Sequence, residues 1–218
     1  MVPRLRASGH TVFATTLTGL GDRTHLAHPG IDLDTHVQDI VNVLDYEDLQ
    51  DVILAGQSYG GKVIDGVADR SADRLAHLVY LDALLPTPSD PVAIPISPEM
   101  QVRIDANGDG WRIPTDMWTP LTASDAWRRP HLCGQPVKTL TQHVRFTNPP
   151  TALARTFVYC TEGKRPANWI TAPAARVRDD PDWTYHELEA THNLYQSGPD
   201  ATVAILAGIG DAQDALRP

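Results

Sequence analysis

The chain has 218 residues and a formal net charge of −9, with 42% hydrophobic residues; this is enough for one full core and disfavours nucleic acid or an anionic membrane as the main partner. No run of about 18 apolar residues occurs and the N-terminus lacks the layout of a signal peptide, so neither a membrane span nor export is expected and a cytoplasmic location is. Two cysteines, Cys133 and Cys160, are too few for a disulfide framework and are expected to stay reduced.

In chain order, His10 to Thr16 is β-rich and predicts a first strand, and the glycine-punctuated stretch from Leu17 to Gly30 predicts a long loop. Thr35-His36-Val37-Gln38 reads as a capping box that opens a helix, along which Val37, Ile40, Val41 and Leu44 recur at helical spacing. Asp51 to Ala55 predicts a second strand, followed by a helix to Arg70 whose apolar stripe is Val63, Ile64, Val67 and Ala68. His77 to Ala83, Thr156 to Thr161 and Thr184 to Leu188 predict three more strands, and Asp200 to Ala212 a last helix. Strands alternating with helices predict an α/β fold: a mostly parallel sheet with helices on both faces, binding ligands beyond the carboxyl ends of its strands. Residues 86–150, rich in Pro and Trp, predict a small helical cap inserted between core segments 1–85 and 151–218.

Gly56-Gln57-Ser58-Tyr59-Gly60 lies between the second strand and its helix. A serine there, on a sharp strand-to-helix turn, takes a strained backbone, and glycines two residues before and after it let neighbouring backbones approach. Ser58 is therefore the candidate nucleophile, held where the N-terminus of the next helix favours developing negative charge. Nine histidines compete for the base. His192 follows the last strand and completes the order serine, acid, histidine, whereas His186 falls inside a strand and His77 at a strand start. Two acids end strands: Asp82, favoured because it is short and follows a strongly apolar strand, and Glu162; Asp180 is a more distant alternative.

Trp111, Trp118 and Trp127 could line an apolar substrate pocket or weld the cap to the core, and Gln57 beside the serine is a further substrate-side candidate. Asp105 to Gly110, with Asp116 beyond, copies the opening of a calcium loop, but Pro114 interrupts it and the last position lacks the bidentate glutamate. A polar turn explains it, and no metal site is expected.

The stretch Ser8 to His25, Gly56 to Gly61, Leu78-Val79-Tyr80-Leu81-Asp82-Ala83, Asp109 to Pro114 and the His192 loop together resemble the α/β-hydrolase superfamily, in particular small actinobacterial esterase-like members related to hydroxynitrile lyases and plant methylesterases. The resemblance implies serine-dependent cleavage of esters or lactones without metal or organic cofactor. It also implies an oxyanion hole that keeps the Tyr59 N–H as one donor, and an N-terminally shortened sheet, because Met1 to His10 resembles the tail of the helix after the family's His-Gly loop, which supplies the second donor. Thr11 to Thr15 would then pair directly with Val52 to Ala55 or leave a gap, and Arg23 and His25 are the nearest substitutes for the missing donor. An uncovered strand there predicts a homodimer through Met1 to Thr16. Three functions follow from these residues: a serine hydrolase of a small or medium ester or lactone, a lyase or cyclase using His192 as general base, and a catalytically silent binding module.

Overall fold

The computed structural model describes residues 1–117, 126–127, 129–149, 152–163 and 169–215. Helices α1 (Val2–Ala7) and α2 (Leu33–Tyr46) precede β1 (Val52–Gln57), α3 (Gly60–Ser71) and β2 (Leu75–Leu81). The long connection that follows carries α4 (Pro98–Ala106), β3 (Arg112–Ile113), β4 (Gln135–Pro136) and α5 (Val137–Thr141). Then come β5 (Ala154–Cys160), α6 (Thr171–Val177), β6 (Thr184–Leu188), α7 (Leu194–Ser197) and α8 (Pro199–Asp214).

The strands β1, β2, β5 and β6 form a parallel sheet in that order. A parallel sheet must be covered on both faces, and the period of two along each strand divides its side chains between two cores. Leu78, Tyr80 and Phe157 pack with Val37, Val41, Val63, Val67 and Ala174, under α2, α3 and α6. Val79, Leu81, Val158 and Cys160 face the other way, with Met1, Ile205 and Ile209 of the α1–α8 side. A third cluster, of Leu84, Ile94, Ile104, Ile113 and Leu140, lies within the long connection and packs against Tyr59. This is the predicted α/β architecture.

Two expectations are corrected. His10 to Thr16 forms no strand, because it is anchored on opposite faces of the sheet: the His10 ring lies against Gly210 of α8, and Leu17, the next residue along, packs with the α2–α3 cluster. The segment thus passes round β1 without joining it, β1 bounds the sheet among the described residues, and β propensity without a partner row of N–H and C=O groups yields an extended coil. Helix α2 starts earlier than predicted, on Asp32. Its carboxylate accepts from the Thr35 N–H at 2.9 Å while the Thr35 hydroxyl turns back to the Asp32 N–H, so Thr35 closes the capping box instead of opening it.

Between α3, β2, β5 and α6 lies a cavity of about 330 Å³ lined in part by Asp65, Tyr80, Arg155, Arg176 and Trp183. Asp65 Oδ1 accepts from the Tyr80 hydroxyl at 2.7 Å, while Oδ2 is buried with no hydrogen-bond partner among the described residues. Burial pushes the Asp65 carboxyl up to about 7, against the opposing pull of the Tyr80 hydrogen bond and of Arg155 and Arg176. Between its ordinary value of 3.8 and about 7 the unfolded chain carries an ionised Asp65 while the folded chain keeps the proton, so this residue makes stability fall as pH rises through that window. Asp65→Asn, which keeps an acceptor for Tyr80, is expected to flatten the decline. Thermal unfolding of both proteins from pH 4.5 to 8 checks this, and parallel curves would refute it.

Candidate active site

Ser58 follows β1 directly and has φ 54°, in the left-handed region where non-glycine residues are strained. Backbone bonds continue the strand ladder around it: the Ser58 N–H donates to Leu81 O at 3.3 Å, and the Leu84 N–H donates to Ser58 O at 2.9 Å. Gly56 permits the turn, since a Cβ there would stand 2.5 Å from Gly60 O. The other close approach is one residue later than the motif suggests. A Cβ on Gly60 would meet open space, whereas one on Gly61 would stand 1.8 Å from Leu84 O.

Asp82 follows β2 at the same sheet edge, also with a positive φ of 47°, and its N–H donates to Val158 O at 2.7 Å. Its carboxylate is fully buried; Oδ1 accepts from the Cys160 N–H at 3.0 Å and Oδ2 lies 2.7 Å from His192 Nδ1. A carboxylate partner assigns the proton to Nδ1 and leaves Nε2 as the acceptor of a further one. His192 stands on the loop after β6, with about a third of its side chain exposed, and its carbonyl accepts from Gln57 Nε2. Among the described residues no hydrogen bond joins Ser58 Oγ to His192 Nε2; catalytic bonds commonly tighten only once substrate is bound. The Tyr59 N–H donates to no protein group among the described residues and so stands available at the N-terminus of α3.

The other candidates lie apart. Glu162 is exposed, its N–H engaged by Ala190 O, and the acid at His192 is Asp82. Arg23 pairs with Asp39 at 3.1 Å and with Thr16 O at 3.0 Å, and His25 is exposed beside Asp22 O, so neither is brought to Ser58 by these bonds. Trp111 lies under the Arg112 guanidinium, 4.9 Å from ring centroid to carbon, Trp127 is 63% exposed, and Trp118 falls outside the described residues. The acidic run is occupied by protein donors: Asp109 takes the Trp111 and Arg112 N–H groups and the Arg112 side chain, Asp105 takes Gln101, and Asp116 takes Arg103.

Three residues beside the elbow carried no signal in the sequence. Lys62 is fully buried, and its ammonium donates to the carbonyls of Leu140 at 2.7 Å, Gln142 at 2.8 Å and Thr139 at 3.4 Å. Burial pushes its pKa down to about 8. Gln142 in turn caps α2, its carbonyl accepting from the Leu33 N–H at 2.8 Å and its amide donating to Asp34 at 2.8 Å. His36 of α2, also fully buried, reaches the Tyr59 hydroxyl at 2.9 Å.

Residues 1–206 match the family model described as the alpha/beta hydrolase family. The chain belongs to that family. It is 50% identical over 86 residues to a carbendazim hydrolyzing esterase of a Nocardioides species, covering 39% of this chain and 36% of the relative. It is 36% identical over 90 residues to a pyrethroid hydrolase of Sphingobium wenxiniae, covering 40% of this chain and 31% of that one. The alignments thus span about a third of the length of the curated relatives. Among solved structures, an extracellular α/β-hydrolase from a Paenibacillus species superposes with a TM-score of 0.75 at 19% identity, over 95% of this chain and 90% of that one. A methylesterase from Arabidopsis superposes with a TM-score of 0.67 at 20% identity, over 96% and 91%. Both are likenesses of α/β-hydrolase fold. No helix among the described residues is long and apolar enough to cross a membrane.

Gly61→Ala is expected to destabilise the protein by roughly 2 kcal/mol or more, because the new methyl group meets backbone, whereas Gly60→Ala should change stability by about 0.5 kcal/mol or less. Chemical denaturation of both variants checks the order, and equal losses would contradict it. Lys62→Met strips a charged donor from the Thr139, Leu140 and Gln142 carbonyls and is expected to cost about 2–4 kcal/mol. Proteolysis at residues 137–142 should accelerate with it; an unchanged cleavage rate would mean that the lysine does not hold this segment.

Proposed function

We propose that this α/β-hydrolase is a serine esterase that cleaves a small or medium carboxylic ester or lactone through an acyl-enzyme. The observation that carries the reading is the strained Ser58 turn at the same sheet edge as the buried Asp82 carboxylate, 2.7 Å from His192 Nδ1. The names of the two curated relatives, an esterase and a pyrethroid hydrolase, support the same reaction class.

In this reading Ser58 Oγ attacks the ester carbonyl as His192 Nε2 takes its proton, and Asp82 holds the imidazole and stabilises the imidazolium. The carbonyl electron pair moves onto oxygen, where the Tyr59 N–H and the N-terminus of α3 meet the charge. Collapse of that intermediate breaks the C–O bond, the departing alcohol takes the proton from His192, and water repeats the sequence on the acyl-enzyme. The Gln57 contact to the His192 carbonyl ties the histidine loop to the elbow, so Gln57 serves alignment more directly than substrate contact.

A fluorophosphonate probe followed by peptide mass spectrometry should place the label on Ser58, and p-nitrophenyl esters of graded chain length should be hydrolysed. Ser58→Ala should abolish both; a lyase using His192 alone would retain measurable turnover. Asp82→Asn should lower the rate by up to about 10⁴, while Glu162→Gln leaves it near that of the wild type. The assignment fails if another residue carries the label or if the Glu162 variant is the crippled one.

A further inference from the structure

The residue after the serine supplies two groups with different tasks. The Tyr59 N–H is the oxyanion donor of the proposed esterase, on which this inference rests, and its side chain runs back into the protein towards α2. There the hydroxyl lies 2.9 Å from His36 Nδ1, and the two rings meet edge to face with centroids 5.8 Å apart and planes at 73°. On its other side, His36 Nε2 lies 3.0 Å from Thr18 O.

The Thr139 side chain also interacts with the Tyr59 hydroxyl, and the contacts of His36 admit one arrangement of protons. A carbonyl oxygen only accepts, so Nε2 carries the hydrogen; burial lowers the pKa of His36 and keeps the ring neutral, so Nδ1 is the acceptor and the Tyr59 hydroxyl donates to it. Thr18 cannot drift to accommodate another geometry. Its N–H and hydroxyl are both held by the Asp39 carboxylate, at 2.6 and 2.7 Å, one turn along α2 from His36. Asp39 is itself held by Arg23, which also reaches Thr16 O at 3.0 Å.

We propose that His36 is a positioning residue for ester cleavage: by fixing the far end of the Tyr59 side chain it fixes the tilt of the Ser58–Tyr59 peptide, and so the aim of the oxyanion donor. The Tyr59 backbone is the junction between a left-handed residue and a helix, and nothing in α3's own ladder holds its N–H. Pinning the ring supplies that restraint from outside the helix. Loss of a whole oxyanion donor lowers turnover about 10²–10³-fold, so loosening one should cost about 10-fold in kcat, with KM little changed because the ground-state carbonyl leans less on it.

The two amide replacements of His36 separate positioning from mere support. Asn places its side-chain carbonyl near the site of Nδ1 and can accept from Tyr59, while Gln places its amide near Nε2 and keeps the bond to Thr18. His36→Asn is expected to retain more kcat than His36→Gln, and Tyr59→Phe to fall about 10-fold in kcat with KM within about 2-fold. A role confined to stability would instead lower the melting temperature of each variant and leave kcat per folded molecule at the wild-type value. Steady-state kinetics on a p-nitrophenyl ester, thermal unfolding and the rate of fluorophosphonate labelling are measured for the wild type and all three. Should a His36 variant fail to fold, Tyr59→Phe, which keeps the ring, is read beside Thr139→Val: a loss of kcat in the first that the second does not share assigns the anchor to His36, and an equal loss in both overturns it. Equal kcat in the variants beside an active, Ser58-labelled wild type overturns this inference only; a wild type that neither labels nor turns over overturns the esterase reading and takes the inference with it.

Discussion

The positive φ of Ser58 is the constraint on which the rest of the site depends. A non-glycine residue in that region costs on the order of 1–3 kcal/mol and persists only where its surroundings over-determine it. Here they do: the N–H and carbonyl of Ser58 are both bonded to the chain leaving β2, and Gly56 and Gly61 let backbone approach to distances that any Cβ would forbid. Asp82, at the end of the neighbouring strand, is strained in the same sense, and its N–H is bonded to β5. Two adjacent parallel strands therefore end in left-handed residues. Each turns its side chain out of the pleat at the edge where the loop after β6 delivers His192.

A turn of this kind needs rigid neighbours, and the buried Lys62 provides one of them. An ammonium taken out of water must find hydrogen-bond acceptors or lose its charge, and three carbonyls of residues 139–142 are brought to it. That fixes the returning end of the long connection against α3. The same stretch sends Gln142 to the first turn of α2, and α2 sends His36 to Tyr59. The contacts form a closed circuit, α3 to residues 139–142 to α2 and back to the residue after the serine, in which each polar group has a small set of partners that will satisfy it.

Much of this fold was legible because it rests on periodicity. The apolar runs of β2 and β5 and the 3.6-residue stripe of α3 are built of residues that prove buried, the shorter runs of β1 and β6 are bounded by recognisable turns, and Ser58, Asp82 and His192 follow from a spaced motif and an order along the chain. What was not legible depends on partners distant in sequence. The run at His10 to Thr16 has strand composition, but what it forms is decided by where its two ends are anchored. Lys62 lies on the side of α3 away from the Val63, Ile64 and Val67 stripe, so amphipathic reasoning assigns it to solvent, whereas residues 139–142, far along the chain, cover it. The motif marks Gly60 and not Gly61, and only the return of the chain at Leu84 shows which glycine is crowded.

His36 and His192 show how surroundings divide one residue type between two tasks. Each imidazole gives one ring hydrogen to an oxygen, but the choice of nitrogen and partner differs. His192 gives its Nδ1 hydrogen to a buried carboxylate and keeps about a third of its side chain in solvent, so a proton gained at Nε2 creates a cation that Asp82 stabilises. His36 gives its Nε2 hydrogen to a neutral carbonyl and lies wholly inside, where burial disfavours the cation and Nδ1 serves only as an acceptor. In the proposed mechanism the first ring exchanges protons in every turnover and the second exchanges none. The carboxylate decides the difference: Asp82 lies 2.7 Å from His192, while Asp39, the acid one turn from His36, is spent on Thr18 and Arg23.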